Sequence, residues 1–122
     1  MTERASILLV DDDDIVRDVT RAILEASGYG VTEAPDGARA LALVEEQEFD
    51  LVLADLVMPV MPGPELARRL RPLRPGLPIL FMSGYSESGS HDVEDIRVVP
   101  KPFTIAVLRE RVHSALNACD PA

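Results

Sequence analysis

The sequence predicts an α/β domain, a parallel sheet of about five strands with helices on both faces. Two observations predict it. The apolar runs Ser6-Ile7-Leu8-Leu9-Val10, Leu51-Val52-Leu53-Ala54 and Ile79-Leu80-Phe81-Met82 are too short for helices and too apolar for strands with one wet face. They fit strands buried on both faces, as in a parallel sheet. Between the runs, apolar residues recur at three- and four-residue steps, and strand–helix alternation implies right-handed crossovers. Composition agrees: 122 residues, 47% hydrophobic and 27% charged, suit one globular domain that builds a core without staples.

The elements follow in order. After the first strand, Ile15, Val16, Val19, Ala22, Ile23 and Ala26 mark a helix, and Gly28 is placed to end it. Val31-Thr32-Glu33-Ala34 is a more polar run, suited to an edge or near-edge strand. Asp36 can cap a second helix carrying Ala38, Leu41, Ala42 and Val44. After the third strand, Glu65 to Leu73 reads as a helix with Leu66, Ala67 and Leu70 inward and Arg68, Arg69 and Arg71 outward, stopped by Pro72 and Pro75. Past the fourth strand, Gly84 to Asp95 is rich in Ser, Gly and acids and gives a helix little to work with. Arg97-Val98-Val99 is the fifth strand, and a last helix from Thr104 carries Ile105, Leu108, Val112, Ala115 and Leu116.

Several function classes fall away. The net charge of −9 makes nucleic acid a poor direct partner, since affinity there comes from basic side chains meeting phosphates. Cys119 is the single cysteine, which excludes an internal disulfide and a thiolate metal cluster. No apolar run approaches the ~20 residues of a membrane helix. The start, Met1-Thr2-Glu3-Arg4, lacks the apolar segment of a signal peptide, so the expected location is cytoplasmic, with no membrane insertion. His91 and His113 lie away from the strand ends, so the chain does not read as a phosphohistidine carrier, and it has no P-loop.

Open parallel sheets bind ligands at the carboxyl ends of their strands. The residues after each run are Asp11, Asp12, Asp13 and Asp14, then Asp55, Ser83 and Lys101. Carboxylates brought together repel unless a cation sits among them, and hard oxygen donors with room for water suit Mg2+. Asp13 and Asp14 read as the acidic start of a helix, which favours its dipole. Asp11 and Asp12, directly at a strand end, read as metal ligands. Asp55 ends a buried strand and reads as a nucleophile toward phosphorus. Lys101 lies between Pro100 and Pro102, which stiffen the backbone that presents its ammonium.

Taken in order, these stretches resemble the receiver domain of two-component response regulators. Ile7-Leu8-Leu9-Val10-Asp11-Asp12-Asp13 resembles the first strand with its acidic pair. Phe49-Asp50-Leu51-Val52-Leu53-Ala54-Asp55-Leu56-Val57-Met58-Pro59 resembles the phospho-acceptor strand, and Gly63 fits the glycine after the next loop. Ile79-Leu80-Phe81-Met82-Ser83-Gly84 resembles the strand that carries Ser or Thr, and Pro100-Lys101-Pro102-Phe103 the lysine motif. The run Phe81 to Tyr85 is similar to receivers of hybrid histidine kinases.

The resemblance implies a flavodoxin-like, doubly wound five-stranded sheet of order 2-1-3-4-5, in one receiver domain over residues 1–122 with a core of about 5–118. It implies that Asp55 accepts a phosphoryl group from a histidine kinase or histidine phosphotransfer protein, and that a downstream protein reads the result. Mg2+ would be held by Asp11, Asp12, Asp55 and the backbone carbonyl of Val57. Ser83 and Lys101 would hold the phosphoryl oxygens, and the Lys101–Pro102 peptide would be cis. The chain would promote only its own phosphorylation and dephosphorylation and would not be an enzyme otherwise. It has no room for a kinase or DNA-binding domain, which implies a stand-alone or excised receiver.

Two departures shape the expected switch. Three places before the lysine, where the family carries an aromatic residue, stands Val98, so at this switch position no ring swings, and phosphorylation is expected to reorganise Gly84 to Asp95 as Ser83 pulls on Gly84 and Tyr85. Ser83 to Lys101 is also about one helical turn short. The fourth helix, the one between the fourth and fifth strands, should therefore be short or irregular. Two other classes compete. A haloacid-dehalogenase-type phosphatase wants a second Asp two residues after its nucleophile, where Val57 stands. A pseudo-receiver that only binds partners has no use for the full set Asp11, Asp12, Asp55, Ser83 and Lys101.

Overall fold

The computed structural model describes residues 5–56, 58, 60–83, 98–100 and 105–118. Its elements run β1 (Ser6–Val10), α1 (Asp14–Ala26), β2 (Gly30–Ala34), α2 (Gly37–Glu46), β3 (Leu51–Asp55), α3 (Gly63–Leu70), β4 (Ile79–Ser83), β5 (Val98–Pro100) and α4 (Ile105–Ala118). The sheet has the order β2-β1-β3-β4-β5 and every pairing is parallel. The polar runs β2 and β5 take the edges, and the apolar runs β1, β3 and β4 the interior.

The two-residue period of a strand decides which helices each side chain meets. Leu8, Val10, Val52, Ala54 and Ile79 pack with Ala40, Leu43 and Val44 of α2 and with Leu66, Ala67 and Leu70 of α3. Ile7, Leu9, Leu51, Leu53, Leu80 and Met82 pack on the other face with Leu24 of α1 and with Leu108 and Val112 of α4. Both faces of the central strands are therefore dry. The amino-terminal end of the β1–β3 pair is also fixed: Ser6 N–H donates to the Asp50 carboxylate at 2.7 Å, and Asp50 N–H donates to Ser6 carbonyl at 2.7 Å.

The face of α1 differs from expectation. Ile15 and Val19 are 75% and 54% exposed, and Ala22 and Ala26 are exposed too, whereas Thr20 and Leu24 are buried. The helix carries two apolar stripes, and Thr20 sits in the one that packs. Its hydroxyl donates to Val16 carbonyl at 2.7 Å, which satisfies the polar atom inside the helix and frees the residue for burial. In α2 the correction is smaller: Ala38 is exposed, and Gly37, Ala40, Leu43 and Val44 face inward. Ile105 of α4 is 57% exposed rather than part of the packed face.

The helix ends follow local chemistry. Asp36 caps α2 by accepting Arg39 N–H at 2.8 Å. The end of α1 is a Schellman motif, with Gly28 N–H on Glu25 carbonyl at 3.0 Å and Tyr29 N–H on Leu24 carbonyl at 3.1 Å. Gly28 has φ +100°, and Gly28→Ala should cost about 1–2 kcal/mol, seen as a lower urea midpoint at unchanged m. Helix α3 begins two residues before the expected Glu65, with Pro64 in its first turn, and ends at Leu70 rather than Leu73. Arg74 Nη2 then donates to Val44 carbonyl at 3.0 Å, tying the following turn to the end of α2. The expected short or irregular helix between Ser83 and Lys101, and the start of the last helix at Thr104, lie outside the described residues. No helix among the described residues is long and apolar enough to cross a membrane.

Candidate functional site

A parallel sheet sends every strand's carboxyl end to one edge, and register decides which ends are neighbours. Val10 pairs with Ala54, so the residues that follow, Asp11 and Asp55, leave adjacent strands side by side. Asp55 pairs with Met82 and Ser83 with Pro100, which continues the edge through β4 and β5. Asp11, Asp12 and Asp55 each offer a carboxylate oxygen, and these atoms lie within 4.8 Å of one another. Asp11 is fully buried, Asp55 is 8% exposed, and Asp12 is exposed at the rim. Buried carboxylates this close raise the energy of the ionised cluster, and hard oxygen donors in such a set fit a small divalent cation.

The turn after β1 is held by several hydrogen bonds. Asp11 N–H donates to Ala34 carbonyl at 3.2 Å, and Asp13 N–H donates to Asp11 Oδ1 at 2.9 Å. Asp13 is the N-cap of α1, where its Oδ1 accepts Ile15 N–H at 3.0 Å and Val16 N–H at 3.1 Å. Asp14 stands in the first turn and pairs with Arg17 at 2.7 Å. These two aspartates thus serve the helix start, as their position suggested.

The loop after β3 closes tightly over Asp55. Leu56 N–H donates to Met82 carbonyl at 2.8 Å, and Gly63 N–H donates to Leu56 carbonyl at 2.9 Å. A Cβ on Gly63 would stand 2.6 Å from the Asp55 carbonyl oxygen, so only glycine fits this approach. In the same loop Val60 has φ 70° and is 98% exposed. A β-branched residue there is strained, and no sequence pattern marks it.

Sequence reasoning also missed Arg17, the long side chain that joins α1 to the turn and to β2. Its Nη1 donates to the Asp11 carbonyl at 2.7 Å, its Nε to Glu33 at 3.0 Å and its Nη2 to Asp14 at 2.7 Å. The spacing to Asp14 was readable; the other two partners need the fold. Hydrogen bonding to Glu33 raises the Arg17 pKa. Glu33 in turn is held below its ordinary 4.5, first by its hydrogen bond from Arg21, against desolvation, and then by that from Arg17. A carboxylate with a lowered native pKa stabilises the fold above its unfolded pKa and loses that contribution as pH falls through the native value. Glu33→Gln should therefore flatten the drop in melting temperature on acidification below about pH 4.5. An unchanged acid slope would contradict the pairing.

Of the remaining expected site residues, Ser83 ends β4, and Val98 lies in β5 opposite Phe81. Val57, Gly84, Tyr85, Lys101 and Pro102 lie outside the described residues.

Comparison with known proteins identifies the family. The family model described as the response regulator receiver domain matches residues 7–113. The chain is 39% identical over 122 residues to the sensor kinase CckA of Brucella abortus, across 95% of this chain and 13% of that protein. It is 38% identical over 116 residues to the response regulator receiver protein CpdR of the same organism, across 92% of this chain and 97% of that one. The crystal structure of the receiver domain from the hybrid histidine kinase CckA superposes with a TM-score of 0.77 at 38% identity, over 92% of this chain and 99% of that chain. Other curated relatives are longer, and the chain spans about half of their length. With its strand order, its acidic edge and these matches in accord, the chain belongs to the response regulator receiver domain family of two-component signalling.

Proposed function

We propose that this receiver is a phospho-acceptor, taking a phosphoryl group from a phosphohistidine onto Asp55 with Mg2+ held by Asp11, Asp12 and Asp55. The observation that carries the reading is the approach of these three carboxylates to within 4.8 Å, two of them buried at adjacent strand ends. An Asp55 carboxylate oxygen attacks phosphorus; the P–N bond to the donor imidazole breaks as a P–O bond forms, and the ring nitrogen takes a proton. Mg2+ would neutralise charge on the transferring phosphoryl oxygens. Asp55 is largely buried, which strengthens the electrostatics around its carboxylate.

Three parts of the reading rest on the family resemblance. Val57 would add its backbone carbonyl to the metal, Ser83 and Lys101 would hold phosphoryl oxygens, and Pro102 would follow a cis peptide. The change on phosphorylation would run through Ser83, Gly84 and Tyr85, with Val98 in place of a ring, toward a downstream protein. The chain acts as one domain in the cytoplasm and performs only its own phosphorylation and dephosphorylation.

Transfer tests this directly. A histidine phosphotransfer protein carrying labelled phosphate is mixed with the chain. Label should move to the chain with Mg2+ and stay on the donor with a chelator. Receivers need cognate donors, so several are run alongside a small acyl phosphate. Failure with every donor, small and protein alike, would leave a binding-only module.

A further inference from the structure

We infer that Arg17 is a positioning residue for the acidic pocket, fixing the turn that carries Asp11 and Asp12 and so setting the affinity for Mg2+. The inference rests on the metal site proposed above and adds to it a residue outside the ligand set.

Asp11 leaves β1 with its carboxylate in the pocket, and its backbone must stay put for that carboxylate and the next to converge. Its N–H is tied to the end of β2 through Ala34. Its carbonyl is tied by Arg17 Nη1 at 2.7 Å. The guanidinium is itself held on two further sides, by Glu33 of β2 at 3.0 Å and Asp14 of α1 at 2.7 Å, and the side chain is only 13% exposed. Three elements thus meet through one planar group. A fork of fixed donors can do this, whereas an ammonium on a flexible stem cannot satisfy the three directions together. Groups behind a metal's ligands that hold them in place typically change metal affinity by about ten- to a hundredfold when removed.

Two accounts of Arg17 predict opposite signs. As a nearby positive charge alone, it would oppose a dication, so its removal would tighten binding. As a positioning residue, its removal loosens the turn and weakens binding. The charge-conserving change separates them further, because Arg17→Lys keeps the charge and loses the fork.

Mg2+ alone is titrated calorimetrically into the wild type, Arg17→Lys, Arg17→Met and Glu33→Ala, with metal-free melting temperatures measured alongside. Arg17→Lys and Arg17→Met should bind Mg2+ about tenfold or more weakly. Glu33→Ala, which releases the guanidinium from β2 without touching the pocket, should weaken it in the same direction. With a small acyl phosphate, the Mg2+ concentration for half-maximal phosphorylation should rise while the rate at saturating Mg2+ returns to the wild-type value. A merely structural role would lower the melting temperature and leave Mg2+ affinity alone. Wild-type affinity in Arg17→Lys, or tighter binding in Arg17→Met, would overturn the positioning role by itself. Should Arg17→Met fail to fold, Arg17→Lys decides. A wild type that binds no Mg2+ would overturn the metal site along with it.

Discussion

Replacing Gly63 with alanine should destabilise the protein by about 1–3 kcal/mol and slow phosphorylation together, because the added methyl has nowhere to go. It would stand 2.6 Å from the Asp55 carbonyl oxygen, 3.1 Å from Leu56 Cα and 3.1 Å from Phe81 Cδ1. The phenyl ring can turn aside. The two backbone atoms belong to the strand end that carries the acidic site, so relief must come from moving Asp55 or unseating α3, which begins at Gly63. Gly76 is the internal control, since a Cβ there meets nothing within 4 Å. Gly76→Ala should be neutral or stabilise by up to about 1 kcal/mol through the unfolded chain. Urea midpoints read both. Equal midpoints for the two variants would refute the tight closure of the β3–α3 loop.

Removing one carboxylate from the pocket should stabilise the metal-free protein while abolishing its response to Mg2+. Asp11, Asp12 and Asp55 share a site less than 5 Å across, and two charges 4 Å apart repel by about 1 kcal/mol in water and about 4 kcal/mol near a protein surface. Asp12 is exposed, so Asp12→Asn should gain toward the lower figure. In the wild type, Mg2+ at tenfold over its Kd should add about 1.4 kcal/mol by mass action on the native state. Thermal melts with and without millimolar Mg2+ measure both effects. A wild type indifferent to Mg2+, or an Asp12→Asn variant less stable than wild type without metal, would contradict the repulsion argument.

How much of this was legible depends on the range of the interaction. Strand faces were readable because a period of two sorts Leu8 and Val10 from Ile7 and Leu9 without knowledge of the partners. The convergence of Asp11 and Asp55 was readable because a parallel sheet sends strand ends to one edge. The strand order came from the family resemblance, since no local pattern encodes which strands are neighbours. The buried face of α1 was misread because Thr20 counts as polar until its hydroxyl is seen on Val16 carbonyl. Arg17 was invisible for a related reason: its critical partner is a backbone carbonyl, which carries no residue identity. Gly63 could be matched to a motif, but the 2.6 Å approach that demands glycine exists only in the folded loop.

The central claim, that Asp55 accepts the phosphoryl group, is tested most directly by intact mass after incubation with a small acyl phosphate and Mg2+. The wild type should gain the mass of one phosphoryl group, lose it with time, and gain none in the presence of a chelator. Asp55→Asn keeps the size of the side chain and removes the nucleophilic carboxylate, so it should remain at its unmodified mass under the same conditions. A stable adduct on the wild type that persists in Asp55→Asn would place the chemistry elsewhere and contradict the account.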